Sequence, residues 1–99
     1  MKLSISLALL MCSSVYAMDP QTLAQRKNCL ACHSIETKVV GPSFKEVAVK
    51  YKGDKTAEDK LIKKVIVGGS GVWGQLPMPA NQVTEAEARV LVQWVLNRK

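Results

Sequence analysis

The chain has 99 residues, a formal net charge of +6, 47% hydrophobic residues, three cysteines and one histidine. That length holds one domain and no more, and so small a core is marginal without a staple. The basic balance does not read as nucleic-acid binding, because no basic stretch is interleaved with aromatic residues. It reads as solubility and as steering toward acidic partners.

Lys2 gives a short positive start, and Leu3 to Met11 form an apolar run. This run is too short to cross a bilayer as a helix, which takes roughly 20 residues. From Cys12 to Ala17 the residues turn small and polar, and Val15 and Ala17 suit the two small-residue positions before a cleavage point. The pattern predicts a secretory signal peptide over 1–17, a mature domain over 18–99 and no integral membrane anchor. Cys12 raises the question of lipid attachment, but Met11 before it is too large for the usual attachment box.

Asp19-Pro20 predicts a helix start, with Asp as N-cap and Pro in the first helical position. That helix is expected to reach about Lys27, with Leu23 and Ala24 facing inward. Cys29-Leu30-Ala31-Cys32-His33 follows, in the form C-x-x-C-H, the attachment sequence for c-type haem. At this spacing each thiol can form a thioether to a haem vinyl group, and the adjacent imidazole can bind the iron as proximal ligand. One covalent haem c is therefore the expected cofactor, and it is also the staple the small core needs.

Ser34 to Gly41 reads as an irregular loop, and Pro42 is expected to open a second helix running to about Lys52. Phe44, Val47, Ala48 and Tyr51 fall on one face of it. Thr56-Ala57-Glu58-Asp59 resembles a capping box with Asp in place of Glu. It precedes a third helix with Leu61, Ile62, Val65 and Ile66 in one stripe. Val65-Ile66-Val67 is β-branched and by propensity suits a strand, but the cap and the spacing predict helix. Gly68 to Gly71 stop it. The stretch 68–82 has no helical period and is expected to be a loop, and loops this long are usually functional. Thr84-Glu85-Ala86-Glu87 is a full capping box. It starts a last helix to about Asn97, with Ala88, Leu91, Val92 and Val95 buried. The pattern is all-α.

With one histidine in the chain, His33, the second axial ligand cannot be another imidazole. Methionine is the soft candidate. Met1 and Met11 leave with the signal, and Met18 stands at the new N-terminus. Met78 lies in the long loop between Pro77 and Pro79, whose rings restrict the backbone and remove two amide donors. The expected metal ligands are His33 and Met78, with a lysine or an open iron as alternatives. His/Met ligation raises the potential and favours electron transfer over catalysis. Trp73 offers an indole N–H to a propionate, or simple packing. Asn81 is placed to donate to the Met78 sulfur, or is a turn residue. Pro42 has a carbonyl free to accept from the outer nitrogen of the imidazole, which would fix the tautomer and ring angle.

These residues carry a family resemblance. Cys29-Leu30-Ala31-Cys32-His33, Val40-Gly41-Pro42, Gly71-Val72-Trp73-Gly74, Pro77-Met78-Pro79, Asn81 and Trp94-Val95-Leu96 stand in the order found in short bacterial class I cytochromes c. The chain resembles that family over essentially all of 18–99. The resemblance implies a class I cytochrome c fold, four to five short helices around one covalent haem. It implies thioethers at Cys29 and Cys32, axial ligands at His33 and Met78, and the histidine hydrogen bond at Pro42. It further implies a propionate bond at Trp73 and a place near the sulfur for Asn81. Lys64 stands where some members have an arginine near a propionate, and a lysine supplies charge there without a bidentate fork.

The resemblance also implies a periplasmic, monomeric one-electron carrier. Its implied partners are redox proteins such as nitrite reductase, a cytochrome bc1 complex, a terminal oxidase or a peroxidase. The haem edge near Leu30 and Ala31 would be the exchange face, with Lys27, Lys38 and Lys45 around it. A competing reading is a ligand-binding sensor or peroxidase-like subunit with a displaceable Met78. A non-haem dithiol or zinc site at Cys29, Cys32 and His33 fits less well, since structural zinc needs four ligands.

Overall fold

The computed structural model describes residues 18–99; the signal peptide expected over 1–17 lies outside them. Helix α1 (Pro20–Arg26) starts as its sequence predicts. The Asp19 carboxylate accepts from the Thr22 amide at 3.2 Å, and Pro20 fills a position whose N–H has no helical partner anyway. Asn28, at φ 62°, then turns the chain into a short 3-10 turn, Cys29–Ala31. Asparagine tolerates this left-handed conformation better than most residues.

Helix α2 (Phe44–Lys50) begins later and ends earlier than expected. Pro42 is not its first residue. Ser43 is the N-cap, its Oγ accepting from the Glu46 amide at 3.1 Å, and this leaves Pro42 outside the helix. Tyr51 caps the C-terminus, and Gly53 at φ 79° turns the chain away.

Helix α3 (Ala57–Val67) includes the β-branched run, as the i, i+3, i+4 spacing predicts. Its start corrects the capping-box expectation, because the Thr56 side chain makes no cap bond. Asp54 Oδ1 accepts instead from Thr56 N at 2.8 Å and Thr56 Oγ1 at 2.6 Å. Thr56 has helical dihedrals (φ −93°, ψ −7°) rather than the extended ones of a capping threonine. Its hydroxyl therefore reaches back to the aspartate. Helix α4 (Glu85–Leu96) has the complete capping box: Thr84 Oγ1 accepts from Glu87 N at 3.1 Å, and Glu87 Oε1 accepts from Thr84 N at 2.9 Å.

The fold is all-α. Among the described residues the one β-type feature is an isolated antiparallel bridge between Gly69 and Met78. No helix among them is long and apolar enough to cross a membrane. Helix α4 is the hub and packs against α1, α2 and α3. Ala24 on α1 and Ala88 on α4 are fully buried, small enough to let the helices approach closely. Leu23, Ala24 and Leu91 form one core cluster; Ile62, Ala88 and Val92 form another. Tyr51, Val65 and Val95, all on stripes expected to be buried, are only half-buried because they line a cleft between the helices. The helices therefore surround a space rather than filling it with side chains.

Candidate functional site

The cleft has a volume of about 330 Å³ and takes walls from all four helices and from the loops before α2 and after α3. Cys29, Cys32, His33, Pro42, Trp73 and Met78 are all in its lining. Chain regions far apart in sequence thus converge on one apolar space.

The C-x-x-C-H segment is held by its own backbone. Cys32 N and His33 N both donate to Cys29 O, at 3.2 and 3.0 Å. The following loop folds back on it, with Val40 N and Gly41 N donating to Cys32 O at 3.1 and 2.8 Å. Two amides in the first turn of α2, whose N–H groups have no helical partner, are satisfied from the same region: Phe44 N by Ser34 O at 2.8 Å and Lys45 N by Ile35 O at 3.1 Å. The start of α2 is therefore tied directly to the motif.

His33 is fixed by three neighbours. Its Nδ1 lies 2.7 Å from Pro42 O. A carbonyl can only accept, so Nδ1 carries a proton, and in the neutral imidazole Nε2 is then the nitrogen with the free lone pair. The Phe44 ring stacks on the imidazole with centroids 5.2 Å apart and planes 24° apart. Trp94 meets Phe44 edge-on at 5.4 Å. Gly41 packs so closely that an added Cβ would stand 2.9 Å from Nδ1 and 3.0 Å from Nε2. Gly41 and Phe44 are positioning residues whose roles at the histidine were not apparent from sequence. A glycine just before Pro42 was the available signal for the first; Phe44 read only as core.

Cys29 and Cys32 are both free thiols, half-buried. Burial pushes the Cys29 thiol up, more than its backbone hydrogen bond lowers it. That is the opposite of the electropositive setting that activates a redox dithiol. No group of three or more His, Cys, Asp or Glu able to hold a metal ion occurs among the described residues.

Met78 is the one residue of 69–80 that is not exposed. Trp73 lines the cleft yet is 44% exposed, with Lys50 Nζ over its ring at 5.4 Å. Asn81 is outside the lining. Its Nδ2 donates to Val65 O at 2.9 Å and Pro79 O at 3.2 Å, which occupies both amide hydrogens. Lys64 also lines the cleft, and its ammonium lies over Gly69. Among the lysines expected to ring an exchange face, Lys27 is paired with Glu87 at 3.5 Å and Lys45 with Glu36 at 3.0 Å. Lys38, on the cleft wall, has no ion pair among the described residues.

The donor set fits a c-type haem. Two free thiols, an imidazole with its lone pair on Nε2 and a sheltered thioether line one cleft, whose volume lies in the roughly 300–1,000 Å³ range of cofactor pockets. The close contact of Gly41 with the imidazole leaves the ring little freedom to turn.

Comparison with known proteins agrees. A family model for cytochrome c matches residues 17–99. The chain is 46% identical over 90 residues to cytochrome c-551 of Pseudomonas aeruginosa, covering 91% of this chain and 86% of that one. It is 55% identical over 86 residues to cytochrome c2 of Rhodocyclus tenuis, covering 82% and 94%. The crystal structure of wild-type cytochrome c552 from Nitrosomonas europaea matches with a TM-score of 0.77 at 49% identity, covering 80% of this chain and 99% of that one.

Proposed function

Because this chain belongs to the cytochrome c family, as a short bacterial class I member with one covalently attached haem c, we propose that it is a periplasmic one-electron carrier with axial ligands His33 and Met78. Electron carriage among redox proteins is the function of the family. The ligand pair, the compartment and the direction of electron flow are the finer parts of the proposal. One observation carries the ligand assignment: a fixed imidazole and the single sheltered residue of a twelve-residue exposed run, a thioether, line the same cleft.

When bound, the haem supplies an iron that cycles between ferric and ferrous states. Cys29 and Cys32 would hold it by thioethers. His33 would bind the iron through Nε2, with Pro42 O holding the proton on Nδ1, which would make the imidazole a better donor. Phe44 and Gly41 pack the imidazole on two sides, which would keep the ring in place during electron exchange. Met78, which lines the same cleft, would be the second iron ligand and, as a soft donor, would favour the reduced state. The Trp73 indole N–H would donate to a propionate, and Lys64, also in the cleft lining, would add positive charge. Asn81 supports Met78 through the backbone of the loop. Lys38 steers an acidic partner, and a small wet contact lets that partner leave quickly.

The acceptor we favour is a nitrite reductase or a terminal oxidase, as the resemblance through Gly71-Val72-Trp73-Gly74 and Pro77-Met78-Pro79 suggests. The test is carbon monoxide binding to the reduced protein at neutral pH. The carrier reading expects no binding by the wild type and binding by Met78→Ala. Ready binding by the wild type would favour a ligand-binding sensor.

A further inference from the structure

We propose that Gly68 is a positioning residue: its missing side chain lets the backbone of 78–80 lie against the C-terminal end of α3, and this contact sets where the Met78 thioether stands. The inference rests on the reading of Met78 as an axial ligand.

The loop that carries Met78 has few means of holding itself. Pro77 and Pro79 have no amide hydrogens, so the Met78 N–H is the only donor of the three. It donates to Gly69 O at 2.8 Å, and Gly69 N returns a bond to Met78 O at 3.0 Å. On the far side of the tripeptide, Asn81 gives Val65 O two hydrogen bonds, from its backbone N at 3.2 Å and from Nδ2 at 2.9 Å. Val65 is in the last turn of α3, where carbonyls have no helical partner. Met78 is thus fastened on both sides to one helix end.

Gly68 sits at the centre of this junction. It caps α3 with its N–H bonded to Lys64 O at 2.8 Å, at φ 77° and ψ −169°, a region open almost only to glycine. A Cβ on it would stand 2.5 Å from Met78 O, 2.8 Å from Ala80 N and 2.9 Å from Pro79 C. All three are backbone atoms and cannot swing aside as the end of a side chain would. Any side chain at 68 must push the 78–80 backbone away from α3, and the thioether moves with it.

The fold supplies its own control. Gly53 has nearly the same φ, 79°, but nothing within 4 Å of its Cβ position. Gly53→Ala therefore imposes a positive-φ strain without touching the Met78 loop. The experiment compares the haem-loaded wild type, Gly68→Ala and Gly53→Ala by three readouts. These are the sulfur-to-iron band of the ferric protein, the reduction potential and urea unfolding. Both variants are expected to lose stability. Only Gly68→Ala is expected to lose the band and to show a lowered potential, since a weakened thioether no longer favours the ferrous state.

Two variants alike in band and potential would overturn the assignment. A wild type that itself lacks the band would instead overturn Met78 as ligand, a separate outcome. If Gly68→Ala does not accumulate, hydrogen exchange of the wild type decides. The amides of Gly69, Met78 and Asn81 are expected to exchange at one common rate with the last turn of α3. Exchange of the Met78 amide independent of α3 would refute the junction.

Discussion

Gly41→Ala tests the histidine mount, because the expected effect is opposite in sign to the ordinary one. Gly41 is not among the positive-φ glycines, so alanine fits its backbone. At such a site Gly→Ala usually stabilises by about 0.4–1 kcal/mol through the unfolded chain. Here the new Cβ would meet the imidazole at 2.9 Å and 3.0 Å from its two nitrogens, and closer still at Cε1. The ring cannot simply retreat, because Phe44 stacks on it and Nδ1 is bonded to Pro42 O at 2.7 Å. Overpacking of this kind costs about 1–3 kcal/mol, and loss of the hydrogen bond about 0.5–1.5 kcal/mol more. The net expectation is a destabilisation of about 1–4 kcal/mol. For a domain of this size each kcal/mol lowers the midpoint by roughly 4–8 °C. Urea and thermal unfolding of the haem-loaded protein measure it. A companion change is a rise in potential, because an imidazole without its Nδ1–H···O bond is a weaker donor to the ferric iron. A Gly41→Ala protein as stable as the wild type, or more stable, would refute the close packing of Gly41 on His33.

Met78→Ala is expected to keep the covalent haem, lower the potential and open the reduced iron to carbon monoxide; absorption spectra with and without the gas check it. Thr84→Ala should cost about 0.5–2 kcal/mol as a lost N-cap, whereas Asp54→Ala should destabilise more than Thr56→Val, because Asp54 holds the start of α3; urea midpoints rank them. The Asp54 carboxyl is held below its usual range mainly by the Thr56 side-chain hydroxyl, and Glu87 mainly by the Thr84 backbone amide. Since both are depressed on folding, their stabilisation is present above the unfolded carboxylate pKa of about 4 and is lost as pH falls through the lower folded values. Asp54→Asn combined with Glu87→Gln should flatten the acid limb of a stability–pH curve. Finally, the bimolecular exchange rate with an acidic redox partner should fall as salt rises, and Lys38→Gln should weaken that dependence more than Lys45→Gln, whose lysine is already paired with Glu36.

What the sequence made legible was whatever is written within a few adjacent residues. The Thr84–Glu87 capping box and the Asp19-Pro20 start need only local neighbours, and both stand as expected; the C-x-x-C-H pentapeptide is as local, and its thiols and imidazole line the cleft. Met78 and Pro42 were reached by elimination and by resemblance, and the structure brings both to the cleft wall with His33. Helix α2 starts after Ser43 rather than at Pro42, because Ser43-Phe44-Lys45-Glu46 is itself a serine three residues before a glutamate and the serine side chain caps the helix. The Thr56 box failed because an aspartate two residues upstream captured the hydroxyl.

How closely Gly41 packs on the imidazole, and Gly68 on the backbone of Met78, was not legible beyond the glycine standing just before Pro42. Each is the absence of a side chain at a place where two distant segments meet, and no local pattern records that. The half-burial of Tyr51, Val65 and Val95 likewise follows from the cleft, which periodicity reads as an ordinary core face.

The most direct measurement is the proton NMR spectrum of the reduced, haem-loaded protein, with Met78→Leu for assignment. A methyl held against the porphyrin face as an iron ligand feels the full ring current, so the Met78 methyl should appear as a three-proton singlet shifted far upfield, absent in Met78→Leu. A Met78 methyl resonating with ordinary methionines would contradict the ligation on which this account stands.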